Sequence, residues 1–356
     1  MSQMYAHYGG VGPTPALIGP ALCLNLVALT GVVLNSFVVY CIVRHKSLRG
    51  SSTNYLLALH CACELLHQTA PLTFGAVALS GLNFIPYQTS MYFQMPAIFG
   101  IHSALIAIPA IAVDRLALIL LPIRHKNLRL KYYIPIHVGV STLFGVYATY
   151  NAYSNMPAFR DRLVTGHFND VFVGTMGDLF FHAALVLNGL AILCYLLVGV
   201  AVYASQRASQ STVQQNQASN RIFKSLLAIM LVVLVGYTNN TILRTFVFPL
   251  FPSLNEFHLW FLSFFLIDMV VNLAAAANMP ILYTFSTEHR TVFQVELRRI
   301  FGERAIFMPK ESKTPVAILS TASRRNTVLS IATTVVVANM RVIADEGNSH
   351  NCIASE

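Results

Sequence analysis

Seven apolar runs of roughly 20–30 residues dominate the sequence, at about 17–43, 53–80, 92–118, 132–153, 174–204, 222–248 and 257–285. Each is long enough to cross about 30 Å of hydrocarbon as an α-helix. In hydrocarbon a backbone has to satisfy its own polar groups, which a helix does. The gaps between the runs leave no room for a soluble domain. Apolar residues make up 55% of the chain and charged residues 10%, where soluble proteins carry about 25% charged. So few charges cannot cover a water-facing surface. Pro71, Pro96, Pro109, Pro135 and Pro280 fall inside or at the ends of runs, which a bundle tolerates because neighbouring helices satisfy the freed carbonyls. The expected fold class is an all-α membrane protein, a seven-transmembrane helix bundle with no internal repeat.

The net charge of +9 comes from basic residues that alternate sides rather than forming a nucleic-acid patch. Arg44, Lys46 and Arg49 follow span 1. Arg115, Arg124, Lys126, Arg129 and Lys131 follow span 3, Arg207, Arg221 and Lys224 lie between spans 5 and 6, and nine more lie beyond span 7. Of the 23 Lys and Arg, only Arg160, Arg162 and Arg244 fall on the other side. The positive-inside rule then predicts an odd number of spans, an extracellular N-terminus and a cytosolic tail. The expected location is the plasma membrane, with the bilayer as the first partner and no nucleic acid.

This gives four segments: an extracellular tail at 1–16, a bundle at 17–285, a surface helix at 286–301 and a tail at 302–356. The first 16 residues mix Gly, Pro, Tyr and His and are expected to be too few to fold. They carry no basic residue and no short apolar core with a small-residue cleavage site, so no removable signal peptide is expected. Phe293, Leu297, Ile300 and Phe301 recur at helical spacing with Arg290, Arg298 and Arg299 off the stripe. That pattern suits an amphipathic helix lying on the inner membrane surface. The tail is polar and Ser/Thr-rich, expected to be mostly disordered. The six cysteines show neither a disulfide framework nor metal spacing.

Ionisable groups within spans are functional candidates by default. His60, Glu64 and His67 share one helical face of span 2. Glu64-x-x-His67 matches half of a di-iron bundle motif, but the second copy that motif needs is absent from the sequence. Neither metal nor cofactor is expected. A buried polar network of Glu64 with Asn35 of span 1 and Asn278 of span 7 is the stronger reading. Asp114-Arg115 closes span 3, and Pro280 and Tyr283 close span 7 at the same inner edge, so the two helix ends suggest a latch that can open. Asp178 and His182 in span 5, Arg244 in span 6 and Asp268 in span 7 could line a ligand pocket; equally, Arg244 and Asp268 could simply pair to neutralise charge. Ser320, Thr321, Ser323 and Thr327 beside Arg324-Arg325 are candidate phosphorylation sites. A kinase there would create charge that recruits a desensitising, arrestin-like partner. The sequence carries no nucleophile–base pair and no phosphate-binding loop, so an enzyme is not expected.

These residues together resemble a rhodopsin-like G-protein-coupled receptor over spans 1–7 and the helix beyond. Asn35 is similar to the family's span 1 asparagine, and Asn54-Tyr55-Leu56-Leu57-Ala58 with Glu64 to its span 2 pattern, Glu standing in place of Asp. Asp114-Arg115-Leu116 with Pro122 resembles the DRY region, and Pro280-x-x-Tyr283 the end of NPxxY. Leu59–Leu65, Pro122-Ile123-Arg124, Phe223–Leu226 and Asn278–Phe285 further resemble the nematode serpentine chemoreceptors of the Srsx type.

The resemblance implies an extracellular ligand, held between the outer halves of the helices, that shifts a two-state bundle. It implies that Asp114 holds Arg115 at rest, that Tyr283 rearranges on activation, and that Ile123 inserts into a heterotrimeric G protein. Three departures stand out. The family's cysteine near Ser90 and its partner in residues 154–173 are absent, span 4 has no tryptophan, and span 6 has Gly236-Tyr237-Thr238-Asn239-Asn240 in place of Cys-Trp-x-Pro. The alternative function is a transporter or channel with Glu64 as an intramembrane proton or cation site. It is disfavoured by the odd span number, the missing repeat and the inner-edge motifs.

Overall fold

The computed structural model describes residues 2–208, 232, 235–251 and 254–302. A short helix, α1 (Ser2–Tyr8), precedes span 1, α2 (Pro15–Arg44). Span 2 is two helices, α3 (Ser52–His67) and α4 (Ala70–Leu79), and span 3 is α5 (Tyr87–Leu120). A one-turn helix, α6 (Pro122–Lys126), leads to span 4, α7 (Leu130–Asn155), and span 5 is α8 (Thr175–Ala208). Span 6 is described from 235 to 247, α-helical at first and then a π turn at Leu243–Val247. Span 7 comprises α9 (Glu256–Ser263), a π turn (Phe264–Asp268), α10 (Met269–Ala276) and α11 (Asn278–Phe285). The chain then turns into α12 (Thr287–Phe301).

The hydropathy runs place the described span ends to within a few residues; the start of the run at 222–248 lies outside the described residues. Prolines in the first turns of α2, α4 and α6 need no intrahelical donor there. By length and hydropathy alone, four of the described helical stretches suffice to cross a membrane: Pro15–Arg44, Tyr87–Leu120, Thr175–Ala201 and Phe257–Ala276. Span 2 misses that criterion because it breaks at Gln68-Thr69 into pieces of 16 and 10 residues. Leu26, Val33, Leu143, Val186 and Val200 stay exposed on the outside of the bundle, as lipid-facing positions do in a solvent that is itself apolar.

Span 3 is the hub, packed chiefly against spans 2, 4 and 5. Its approach to span 2 depends on Gly100. A Cβ there would sit 2.6 Å from the Cys63 carbonyl oxygen and the His67 nitrogen, so only glycine lets the two backbones come that close. Gly236 does the same between spans 6 and 7, where a Cβ would lie 2.6 Å from that of Ala274.

The bundle has two ends, the N-face bearing α1 and the C-face bearing α12. On the N-face the first residues depart from the expectation of a short unfolded tail. Met4 of α1 is buried with Leu17, Ala21, Phe74, Ala78, Phe84 and Trp260, and Asn83 Nδ2 donates to the carbonyls of Tyr8 (2.9 Å) and Gly12 (2.7 Å). A seven-residue helix cannot stand alone in water; packing against the bundle is what holds this one. On the C-face, Glu296 anchors α12 to the end of span 1. Its carboxylate accepts from Tyr40 Oη at 3.1 Å and lies 2.8 Å from His45 Nε2 and 3.2 Å from Arg44 Nε. Ile300 and Phe301, 56% and 65% exposed, extend an apolar edge away from the protein, where the membrane interface would receive it.

Candidate functional site

At the C-face, Asp114 is fully buried, and a buried carboxylate is costly without donors. Thr53 Oγ1 of span 2 donates to its Oδ2 at 2.5 Å, and His125 Nε2 lies 3.0 Å from its Oδ1. Pro122 starts α6 immediately after span 3, and the single turn that follows brings His125 back beneath Asp114. Ser52 Oγ, 3.3 Å from His125 Nε2, supports the same ring. Arg115 is not part of this cluster. Successive helical residues point in different directions, so the expected Asp114–Arg115 pair gives way to Asp114 with Thr53 and His125. Arg115 instead lies within electrostatic reach of Tyr195 of span 5 and Glu288 of α12, as well as Asp114. Its Nε is buried with no hydrogen-bond partner. Burial and the Arg115 charge together push the pKa of neighbouring His289 down to about 4.

Tyr283 faces α12. Its hydroxyl accepts from Gln294 Nε2 at 3.2 Å, and its carbonyl accepts from Arg290 Nε at 2.7 Å. Pro280 is exposed and its carbonyl accepts from Thr284 Oγ1 at 2.8 Å. Pro122 is buried, while Ile123 is 57% exposed at the tip of the C-face.

Half-way through the bundle the expected network divides in two. Asn278 Nδ2 donates to Asn35 Oδ1 at 3.0 Å, and Asn35 Nδ2 reaches the Ala275 carbonyl at 3.0 Å and Gln68 Oε1 at 3.3 Å. Glu64 belongs to a second cluster. His67 Nδ1 lies 2.9 Å from its Oε2, His60 Nε2 lies 3.8 Å from its Oε1, and the Tyr237 hydroxyl of span 6 donates to Oε1. The break after α3 separates the clusters: Glu64 points toward span 6, whereas Gln68 continues toward spans 1 and 7.

The N-face is closed by the loop joining spans 4 and 5. Leu163-Val164 pairs antiparallel with Ile85-Pro86, and the Tyr87 and Gln88 amides donate to the carbonyls of Arg162 and Arg160. At Gly166, with φ +77°, the loop turns into the bundle. Gln94 Nε2 of span 3 holds it there by donating to the Gly166 carbonyl at 2.9 Å and the Ala70 carbonyl at 3.2 Å. No disulfide is involved: Ser90 is buried at the start of span 3, and Cys23, Cys41, Cys61, Cys63 and Cys194 are all free. Asn169 Nδ2 then reaches Asp268 Oδ1 and Oδ2 of span 7 at 2.6 and 2.5 Å. His167, stacked edge-on against Phe74 and Trp260, places Nε2 3.3 Å from Asp268 Oδ2. Burial and the charge of Arg244 push the pKa of His167 down to about 3, so this is a polar contact of a neutral ring rather than an ion pair. Burial raises Asp170 to about 6, although Thr165 N and Oγ1 donate to it at 2.9 and 2.8 Å.

Beneath the loop lies a cavity lined by His67, His167, Phe168, Asn169, Phe172, Asn240, Asp268 and Asn272, with ≈ 20 Å³ of free space. That holds about one water molecule. The four candidate pocket residues are not gathered around it. Asp268 lines it. Arg244 lies alongside, with Nε donating to Asn240 Oδ1 at 3.1 Å, its guanidinium 5.8 Å from the Phe181 ring and its Nη2 unpartnered. Asp178 and His182 are exposed on the outside of span 5, where the His182 ring bonds the Asp178 carbonyl at 2.7 Å. Helical spacing put those two on one face correctly; span 5 is apolar nearly all round, so spacing could not say which face turns inward.

Sequence reasoning also passed over Thr53, Gln68, Gln94, His125, Asn169 and Tyr237 as partners. Only Tyr237 carried a signal, as a polar aromatic in the segment that departs from the family pattern. Among the described residues no group of His, Cys, Asp and Glu could hold a metal ion. Ser320, Thr321, Ser323 and Thr327 lie outside the described residues. The sequence model of a family described as serpentine type 7TM GPCR chemoreceptor Srsx matches residues 28–297. No curated protein matches the chain.

Proposed function

The chain belongs to the Srsx family of serpentine seven-transmembrane G-protein-coupled chemoreceptors, and on that premise we propose which residues receive the signal and which pass it on. It is a multi-pass membrane receptor that transduces an extracellular signal. In this reading the N-face is extracellular, as the basic bias toward the C-face supports, and the membrane is the plasma membrane. A small ligand binds where the 4–5 loop now sits, against His67, Asp268 and Asn272. Since the cavity holds little more than a water, binding displaces Phe168–Phe172 and the Asn169–Asp268 contact, as a lid gives way to a ligand.

At the C-face the observation that carries the reading is Arg115: a half-buried side chain whose Nε is buried without a partner, beside an Asp114 that is already satisfied. A cation held this loosely is poised to meet a cytosolic transducer. Ile123 supplies the exposed apolar contact for the G protein, and Tyr283 leaves Gln294 as span 7 shifts. Pro280 allows that shift by leaving one helical hydrogen bond unmade, and Pro122 sets α6 so that Ile123 and His125 face opposite ways. Kinase action on Ser320, Thr321, Ser323 or Thr327, and an arrestin-like partner reading it, would end the signal.

The test is a panel of candidate chemical cues applied to cells expressing the receptor, read by GTP exchange. With any active cue, Arg115→Ala is expected to abolish the response while leaving surface expression intact. An undiminished response from that variant overturns the assignment.

A further inference from the structure

We propose that Tyr237 ties span 6 to the resting bundle, and that activation moves the Glu64 carboxylate from Tyr237 to His60. The inference rests on the reading above that the ligand occupies the N-face cavity, and it adds the route by which occupancy reaches span 6.

Three observations meet at Glu64. First, His67 lines the cavity and its Nδ1 lies 2.9 Å from Glu64 Oε2, so a ligand touching that ring also touches the carboxylate's orientation. Second, the other oxygen, Oε1, accepts from the Tyr237 hydroxyl. All three side chains are buried, where a charge-assisted hydrogen bond is strong and has no water to replace it. Third, a replacement stands ready. His60 Nε2 is 3.8 Å from the same Oε1, and that buried ring makes no close side-chain hydrogen bond, its other polar neighbour being the Ala104 backbone. A small rotation of the carboxylate trades Tyr237 for His60 without leaving a buried charge bare.

The two arrangements differ in what they join. His60, Glu64 and His67 are all on α3, and Tyr237 alone is on another helix. With Tyr237 engaged, Glu64 bonds span 2 to span 6. With His60 engaged, the bond closes within one helix at i,i+4 and span 6 is untied from span 2. Among the described residues of span 6, Asn239 also donates to the Leu266 carbonyl and Gly236 packs closely, both toward span 7, so Tyr237 is the side-chain bond toward span 2, and the helix loosens into a π turn at Leu243–Val247. A carboxylate with one intrahelical and one interhelical partner is a two-state element of the kind that coupling between distant sites requires.

Two measurements test this without a known ligand. In purified receptor, Tyr237→Phe keeps the ring and removes the hydroxyl. Amide hydrogen exchange across 235–247 is expected to rise several-fold, with α2 unchanged. In membranes supplied with a panel of heterotrimeric G proteins, ligand-free uptake of a non-hydrolysable GTP analogue is expected to rise several-fold as well. His60→Leu in the otherwise unchanged receptor, which removes the second partner and keeps the tether, is expected to slow exchange across 235–247 and to lower ligand-free uptake. Glu64→Gln, a weaker acceptor of the same shape, gives a smaller rise and serves if Tyr237→Phe folds poorly. Unchanged hydrogen exchange in both Tyr237→Phe and Glu64→Gln overturns the tether. Faster exchange in Tyr237→Phe without a rise in uptake, or a His60→Leu receptor in which neither exchange across 235–247 nor uptake falls, overturns the relay. If Tyr237→Phe raises uptake and Arg115→Ala in the same chain does not suppress it, the tether stands and the Arg115 reading falls.

Discussion

The two ends of the bundle are fastened by different chemistry. On the N-face, side-chain amides and a phenol reach across to backbone carbonyls: Asn83 to Tyr8 and Gly12, Asn25 to Pro71, Gln94 to Ala70 and Gly166, Tyr87 to Val171. On the C-face, side chain meets side chain around carboxylates: Thr53 and His125 on Asp114, Tyr40, Arg44 and His45 on Glu296. A backbone carbonyl cannot turn to a new donor as a side chain can, so the N-face is mostly a fixed closure; the exceptions lie in the loop, where Asn169 and His167 meet Asp268 and Thr165 meets Asp170. A carboxylate can exchange donors by turning one side chain. On the reading proposed above, the end that opens to a partner is thus built from exchangeable bonds, and the end that keeps its shape largely from bonds that are not.

This contrast orders the expected effects. The largest loss of stability belongs to the N-face. Gln94→Leu removes the donor from two buried carbonyls and is expected to cost about 2–4 kcal/mol, seen as a lower melting temperature in nanodiscs, without a rise in ligand-free GTP exchange. If Gln94→Leu melts like wild type, the fixed-closure half of the comparison fails. A smaller stability effect with a larger functional one belongs to the C-face. His125→Ala is expected to cost about 1–2 kcal/mol yet raise ligand-free exchange several-fold, because Asp114 becomes free to turn. No rise there would mean that His125 is packing and not a catch.

The smallest effect concerns the loop itself. Burial holds His167 near pH 3, against 6.5 for a free histidine, so its contribution to docking is full above 6.5 and is lost as the pH falls. Asp170, raised from 3.8 to about 6, contributes fully below 3.8 and loses that as the pH rises through 6. Between pH 6.5 and 4 the two oppose, and the intact loop should change little. Acidifying from 7.5 to 5 should loosen residues 163–172 in Asp170→Asn and tighten them in His167→Asn, read by amide exchange. A shift of the same sign in both variants rejects these assignments.

The bundle itself was legible because hydrocarbon thickness sets run length, and among the described residues the run boundaries fall within a few residues of the helices; the start of span 6 lies outside them. The family was legible because its motifs are fixed backbone positions at helix ends. Contacts between spans were legible only where polar groups are scarce: Asn35 and Asn278 had few alternatives at their depth. Tyr237 was not, since tyrosine is at home in apolar and polar surroundings alike. His125 was read as one more basic residue of a cytosolic loop, and only the turn of α6 makes it a partner of Asp114. The helix α1 has no propensity signal of its own and owes its existence to Met4 finding Trp260. The break at Gln68-Thr69 was invisible within an apolar run that continues on both sides.

One property of the N-face has a use beyond signalling. The loop over the cavity is closed without any sulfur–sulfur bond, and the cysteines of the described spans are all unpaired. Among the described residues, closing this loop therefore calls for no oxidising compartment and no disulfide exchange. Thiol reductants that dismantle a disulfide-closed loop leave this one chemically untouched, which opens cell-free production under reducing conditions to it.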